Sequence, residues 1–249
     1  MKIRFYQTTW NGVDLVALAH SLGHSIRELP SSRFYEAYYQ KISPHSLSEE
    51  WQYKKGCQTE WLKKQIDLYG DKRKPTLSIG AGTGIVEVPL IKSGHNIHLQ
   101  ECQKESLSLF GGTELTTCYY GSLDEIPQKE YNTITSLAMM YALDDDQLKS
   151  FFHSCANILE SGGILILLDT SLSWQEIYSY LRNWRYFARN YLLWGFKRSV
   201  PHFLKLAKGF ELLSKEYYDP YMKILPVKRI MQIPYNATPH WQMMVFQKK

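Results

Sequence analysis

Apolar positions change their period along this chain, and the changes outline an alternation of strands and helices. Thr76–Ile79 is a short apolar, β-prone run such as an inner strand of a parallel sheet needs, and Ile85–Leu90 then opens a helix. Asn96–Gln100 predicts a second strand, Glu105–Phe110 a helix, and Leu115–Tyr119 a short third strand. Tyr131–Leu137 predicts the fourth strand, Asp146–Leu159 the next helix and Gly163–Leu168 the fifth strand. Val200–Leu206 predicts a last helix, Phe210–Tyr218 a sixth strand and His240–Gln247 a seventh. Strands separated by helices imply an α/β, doubly wound parallel sheet with right-handed crossovers.

Two stretches exceed that minimum. Residues 1–70 predict an N-terminal helical cap packed on a core of residues 71–249, with the polar break Gly70–Lys74 between them. Within the cap, Val13–Leu22 predicts one helix. Ser31 or Ser32 can start a second that carries Phe34, Tyr35, Tyr38 and Tyr39, and Ser48–Tyr69 a third, with Trp51, Cys57, Trp61, Leu62 and Ile66 roughly on one face. Residues 171–199 predict a helical lid insertion before the sixth strand. Ile177, Leu181, Trp184, Ala188 and Tyr191 recur there at helical spacing, and Arg182, Arg185 and Arg189 form a basic stripe.

Chemistry concentrates after the first core strand. Gly80-Ala81-Gly82-Thr83-Gly84 turns the chain with residues that tolerate positive φ and let a ligand touch the backbone, and the next helix offers free N–H groups. Glu101, just past the second strand and about 20 residues beyond the first glycine, stands where a doubly wound fold receives ribose hydroxyls. A nucleotide-like ligand follows. A dinucleotide fingerprint wants glycine where Ile85 stands, which disfavours NAD and FAD.

Composition adds limits. A chain of 249 residues with 44% apolar content can bury a sizeable core, and a formal charge of +5 permits an anionic partner without demanding one. Cys57, Cys102, Cys118 and Cys155 include no CxxC pair, so neither a zinc site nor a disulfide framework is expected. Without a signal-peptide pattern or a run of about 18 apolar residues, a cytoplasmic protein with no membrane partner is expected. Asp144-Asp145-Asp146 could suggest a metal, but an acid at a helix start caps free N–H groups, and no metal is expected.

The sequence resembles class I S-adenosylmethionine-dependent methyltransferases from about Trp51 onward. The resemblance rests on Leu77-Ser78-Ile79-Gly80-Ala81-Gly82-Thr83-Gly84, on Glu101 with Gln103 and Leu107, on Tyr120–Pro127, and on Tyr131–Ala138 leading to Ala156–Leu167. It implies a Rossmann-like seven-stranded sheet of order 3-2-1-4-5-7-6 with the last strand antiparallel. It also implies S-adenosyl-L-methionine as cofactor and S-adenosyl-L-homocysteine as product. Gly80, Ala81, Gly82 and Gly84 are then expected beside the methionine and ribose portions, Glu101 on both ribose hydroxyls, Ser122 and Leu123 at the adenine, and Ser136 and Leu137 beside the methionine group.

The segment Ser136-Leu137-Ala138-Met139 lacks the Asn/Asp-Pro-Pro-aromatic sequence of the family's nucleic-acid base methylators, so nucleic acid is not the expected partner. The metal-dependent catechol type would place acids after strands four and five, and only Asp169 fits. The aromatic-rich additions lie where this family builds substrate pockets. Tyr38, Tyr39, Tyr141, Trp184 and Arg185 are the candidate acceptor contacts, with Tyr141 and Tyr39 as candidate catalytic groups. The expected function is methyl transfer to an O or N atom of a small molecule or natural-product intermediate. Protein or RNA methylation, and cofactor binding without transfer, are the alternatives. The sequence leaves the oligomeric state, monomer or dimer, open.

Overall fold

A computed structural model describes residues 1–43, 47–172, 174–218 and 241–249. The chain opens with β1 (Lys2–Gln7) and a two-stranded hairpin of β2 (Thr9–Trp10) and β3 (Val13–Asp14). Three helices follow: α1 (Leu15–Ser21), α2 (Ser32–Tyr39) and α3 (Glu49–Tyr69). Each begins at a side chain that accepts otherwise unpaired N–H groups: Asp14 from Val16 and Ala17, Ser31 from Phe34, and Ser48 from Trp51.

The core then runs β4 (Thr76–Ile79), α4 (Glu87–Lys92), β5 (Ile97–Glu101), α5 (Lys104–Ser108), β6 (Cys118–Tyr120), β7 (Tyr131–Leu137) and α6 (Asp145–Ile158). After β8 (Leu159–Thr170) come α7 (Trp174–Asn190), β9 (Leu192–Arg198), α8 (Val200–Leu206), β10 (Phe210–Tyr218) and β11 (Trp241–Lys248). Seven strands form one sheet in the order β10-β11-β8-β7-β4-β5-β6, with β11 antiparallel to both neighbours. In order of appearance this is the expected 3-2-1-4-5-7-6 read from the opposite edge. Side chains of β8 alternate between its faces. Leu165 and Leu167 pack with Phe151, Phe152, Phe203 and Phe246 on one face, while Ile164, Ile166 and Leu168 pack with Trp61, Leu62 and Ile66 on the other.

The additions depart from the helical expectation. Residues 192–198 of the insertion form a strand, and it pairs antiparallel with β1 from Lys2↔Arg198 to Gln7↔Leu192. The two additions are thus joined by a second small sheet, so the N-terminal segment is a cap of strands and helices. Apolar alternation is present in Ile3 and Phe5, but their partners are Lys197 and Gly195, beyond any local pattern. A third apolar cluster, including Leu15, Phe34, Tyr38, Tyr141, Leu192 and Trp194, seals cap to core.

Asp144 caps α6 in a reciprocal box with Gln147, as expected of the acidic run. Its neighbour Asp145 instead gathers Lys2 Nζ at 3.0 Å, Arg198 Nε at 3.1 Å and His202 Nε2 at 3.0 Å. Burial works to raise the Asp145 carboxyl, but these bonds outweigh it and hold the group at about 2. Arg198 is fully buried and also donates to the Met140 carbonyl at 3.0 Å and to the Leu143 carbonyl. Asp145→Ala would leave that buried guanidinium without its counter-ion, so denaturant unfolding should show a loss of about 2–4 kcal/mol at pH 7. Because the folded carboxyl lies below its unfolded value, this contribution is complete above about pH 4 and fades as pH falls toward 2. Equal stability of variant and parent at neutral pH would show that the cluster does not hold cap to core.

Candidate active site

Strand order reverses at β4, whose neighbours are β5 on one side and β7 on the other, and ligands of doubly wound sheets bind beyond the strand ends at such a point. The turn that follows β4 occupies it. Gly80, Gly82 and Gly84 take φ of +66°, +59° and +70°, a region in which a Cβ is strained. Space forbids side chains as well. A Cβ on Gly80 would meet Met139 Cγ at 2.7 Å, and one on Gly82 would lie 3.3 Å from the Tyr39 hydroxyl. Beneath the turn, Ser78 Oγ bonds Glu87 Oε1 at 2.8 Å and ties β4 to α4.

Glu101 closes the turn from β5. Its Oε2 accepts from the Gly82 amide at 2.7 Å, and Oε1 accepts from Cys102 at 2.7 Å and Gln103 at 3.3 Å. Burial raises the carboxyl's pKa, and the three amides oppose that shift. A carboxylate offers about four acceptor positions, so one on Oε2 remains open to a hydroxyl donor. Gln100 was not anticipated from sequence. Its buried side chain accepts from the Gly80 amide at 3.2 Å and donates to the Gly121 carbonyl at 2.9 Å, which staples the turns after β4 and β6 together. An uncharged residue inside a strand gave no sequence signal of this.

The remaining cofactor candidates flank the turn. Ser122 Oγ accepts from the Asp124 amide at 3.2 Å, and Leu123 packs against the core under the same short helical turn. Ser136 Oγ donates to the Ile79 carbonyl at 2.9 Å, tying the end of β7 to the end of β4, with the buried Leu137 beside it. The next residue, Ala138, has φ of +56°, a strained value for a residue with a Cβ, and its amide donates to the Leu168 carbonyl at 2.7 Å. Strain is thus concentrated where β7 meets Met139 and Gly80.

Tyrosines cover the turn. Tyr39 lies over Gly82, and its hydroxyl pKa is raised by burial first and then by the nearby Glu101 and Tyr141. Tyr141 is buried, stacks on Trp194 with ring centres 6.3 Å apart, and its pKa is raised by burial and by Asp169. Tyr38 turns away to stack on Trp10 at 4.6 Å and accepts from Asn11 Nδ2 at 2.9 Å, so it braces the roof. Tyr35, missed from sequence, is central: its buried hydroxyl has no partner among the described residues and stands within electrostatic reach of Tyr141, Tyr39 and Glu101. One tyrosine among three on a single helix carries no sequence mark of its own.

Trp184 and Arg185 show no contact with this group among the described residues. Trp184 is 49% exposed on α7, with the Arg185 guanidinium 5.4 Å from its ring centre. It is Trp194 on β9, packed on Phe34, Tyr35 and Tyr141, that carries the insertion to the roof. An open recess of about 460 Å³ lined by Gly12, Asp14, Ala17, Ser21 and Lys41 contains no residue of the glycine turn, and we assign it no part in the chemistry. Among the described residues no group of three His, Cys, Asp or Glu side chains is placed to hold a metal, and no helix is long and apolar enough to cross a membrane.

A switch-point glycine turn answered by an acid from the next strand is the arrangement of a doubly wound α/β sheet. Solved structures make the class narrower. A S-adenosylmethionine-dependent methyltransferase from Methanosarcina mazei matches with a TM-score of 0.58 at 13% identity, over 74% of this chain and 96% of that one. Magnesium protoporphyrin IX methyltransferase from Synechocystis, bound to S-adenosylhomocysteine, matches at 0.54 and 10% identity over 94% of each chain. The glycopeptide N-methyltransferase MtfA matches at 0.53 and 12% identity over 77% of this chain and 90% of that one. No protein-family model and no curated protein sequence matches the chain. The chain therefore has the fold of the class I S-adenosylmethionine-dependent methyltransferases.

Proposed function

We propose that this protein is a metal-independent methyltransferase that uses S-adenosyl-L-methionine to methylate an O or N atom of a small molecule. The observation that carries the reading is the cradle at the switch point: three positive-φ glycines, the Glu101 carboxylate on the Gly82 amide with an acceptor position to spare, and the Tyr39 hydroxyl above. A nucleoside fits such a cradle, with the close-packed Gly80–Gly84 backbone against the methionine and ribose portions and Glu101 on the ribose. Once bound, the cofactor supplies an electrophilic methyl whose bonding pair stays with sulfur on transfer.

The protein's own part is to enclose and align. In-line displacement gains most from holding two reacting atoms close in a site without water, and Tyr35, Tyr39, Tyr141 and Trp194 supply large apolar area with polar tips. A low-molecular-weight acceptor suits a site roofed by its own chain, and the glycopeptide and protoporphyrin acceptors named for two of the structural neighbours are in keeping with this. The cap (residues 1–70) and the insertion (171–199), joined through β1 and β9, would act as one lid over the core.

The test is to incubate the purified protein with methyl-labelled S-adenosylmethionine and a cell extract divided into small-molecule, RNA and protein fractions. Label in the small-molecule fraction is expected. Label confined to RNA or protein would overturn the acceptor class, and no label in any fraction would overturn the transfer reaction.

A further inference from the structure

Asp169 is the second-last residue of β8, one past Leu168, whose carbonyl holds the strained Ala138. Its side chain is fully buried, and neither carboxylate oxygen has a hydrogen-bond partner among the described residues. An isolated buried carboxylate costs several kcal/mol, so a fold that keeps one unpaired is keeping it for something that arrives later. Nearby groups do not neutralise it. Arg198 lies within electrostatic reach, but its guanidinium is committed to Asp145 and to the Met140 and Leu143 carbonyls. The amides of Thr170 and Tyr141 come close enough to weaken the effect of burial without reaching bonding geometry.

A second observation points the same way. Tyr141, which Asp169 influences, lies within electrostatic reach of Tyr35, as do Tyr39 and Glu101, and the Tyr35 hydroxyl has no hydrogen-bond partner among the described residues. A carboxylate and an aromatic cluster together suit a cation, because ring faces attract positive charge and an ammonium satisfies both carboxylate oxygens. An alcohol would satisfy one oxygen and leave the buried charge in place.

We propose, building on the methyltransferase reading, that the acceptor is a primary or secondary amine, and that Asp169 binds its ammonium form and takes the proton that must leave before transfer. In that step one N–H bond breaks, its electron pair stays on nitrogen and the proton moves to the carboxylate; the freed pair then forms the new N–C bond as the methyl–sulfur bond breaks, its pair leaving with sulfur. Burial raises the Asp169 carboxyl to about 7, which brings it toward the range in which a carboxylate acts as a base near neutral pH. The groups facing it are Tyr141 after β7 and Arg198 and Lys197 on β9.

Intrinsic fluorescence tests this with the wild-type protein, with and without saturating S-adenosylhomocysteine, titrated with ethylamine, benzylamine and tryptamine and with ethanol, benzyl alcohol and tryptophol. Amines should bind at least tenfold tighter than their matched alcohols, and the preference should fade as pH falls below about 7. Asp169→Asn should erase the preference while leaving S-adenosylhomocysteine affinity unchanged. The same variant should melt above wild type at pH 8 and alike at pH 4, because the wild-type carboxyl, raised by folding, loses stability as pH climbs from about 4 to about 7. Equal binding of amines and alcohols, no binding of either, or a destabilised Asp169→Asn at pH 8 that keeps the preference would each overturn the proposal. Failure to bind S-adenosylhomocysteine falls instead on the methyltransferase reading, and the amine preference is still read without it.

Discussion

Gly195→Ala is expected to be the most damaging single-methyl change in the chain. A Cβ there would lie 2.2 Å from the Tyr141 carbonyl oxygen and 2.8 Å from a ring carbon of the same residue. Neither side can yield cheaply. Tyr141 is fixed in the turn after β7, and β9 is held by its ladder to β1 and by the Arg198 anchor. Overpacking against backbone should cost at least about 3 kcal/mol, which for a chain of this size is a fall of roughly 6 °C or more in melting temperature. Gly209→Ala is the matched control: it has φ of +87° but nothing within 4 Å of the added carbon, so it bears backbone strain alone, about 1 kcal/mol. Should the two variants melt alike, β9 is not seated on Tyr141 and the roof is held some other way. Any folded Gly195→Ala protein should keep its cofactor affinity, since the glycine turn is untouched, and lose transfer.

Glu101→Ala should weaken binding of S-adenosylhomocysteine by about 1–3 kcal/mol, or roughly 5- to 150-fold, the range for removing a charged hydrogen-bond partner. Two losses combine. On the proposed reading the ribose loses its acceptor, and the Gly82 amide loses the 2.7 Å bond that sets the turn. Glu101→Gln retains one acceptor oxygen and should lose less. Because burial raises the Glu101 carboxyl, wild-type affinity should begin to fall at a higher pH than an ordinary carboxylate would give. Calorimetry on proteins with matched circular dichroism spectra checks both. An Ala variant that binds as tightly as wild type would place the ribose elsewhere.

What could be read from sequence was what local chemistry controls. Thr76–Ile79, the glycines and Glu101 carry period, conformational need and spacing within a single β-α-β unit, and the structure puts Glu101 on the Gly82 amide. The helix starts at Ser31, Ser48 and Asp144 were equally local. Partners distant in sequence were not readable. The β1–β9 ladder, the Arg198–Asp145 cluster and the contacts of Trp194 join segments that only folding brings together. The same limit applied to side chains. Helical spacing set Trp184 on an apolar stripe, yet it remains half exposed, while Tyr35 on the same helix as the chosen Tyr38 and Tyr39 faces the centre of the site. Asp169 was noted in sequence only as half of a metal pair; its significance lies in a missing hydrogen-bond partner, which no sequence displays.

The cradle at Gly80–Gly84 and Glu101 is the ground on which the function stands, and a direct titration tests it. Isothermal calorimetry of the wild-type protein against S-adenosylmethionine, S-adenosylhomocysteine and NAD, in buffer containing a chelator, should give one-to-one binding of both adenosyl ligands and none of NAD. Absence of heat with either adenosyl ligand, or tighter binding of NAD, would contradict the account.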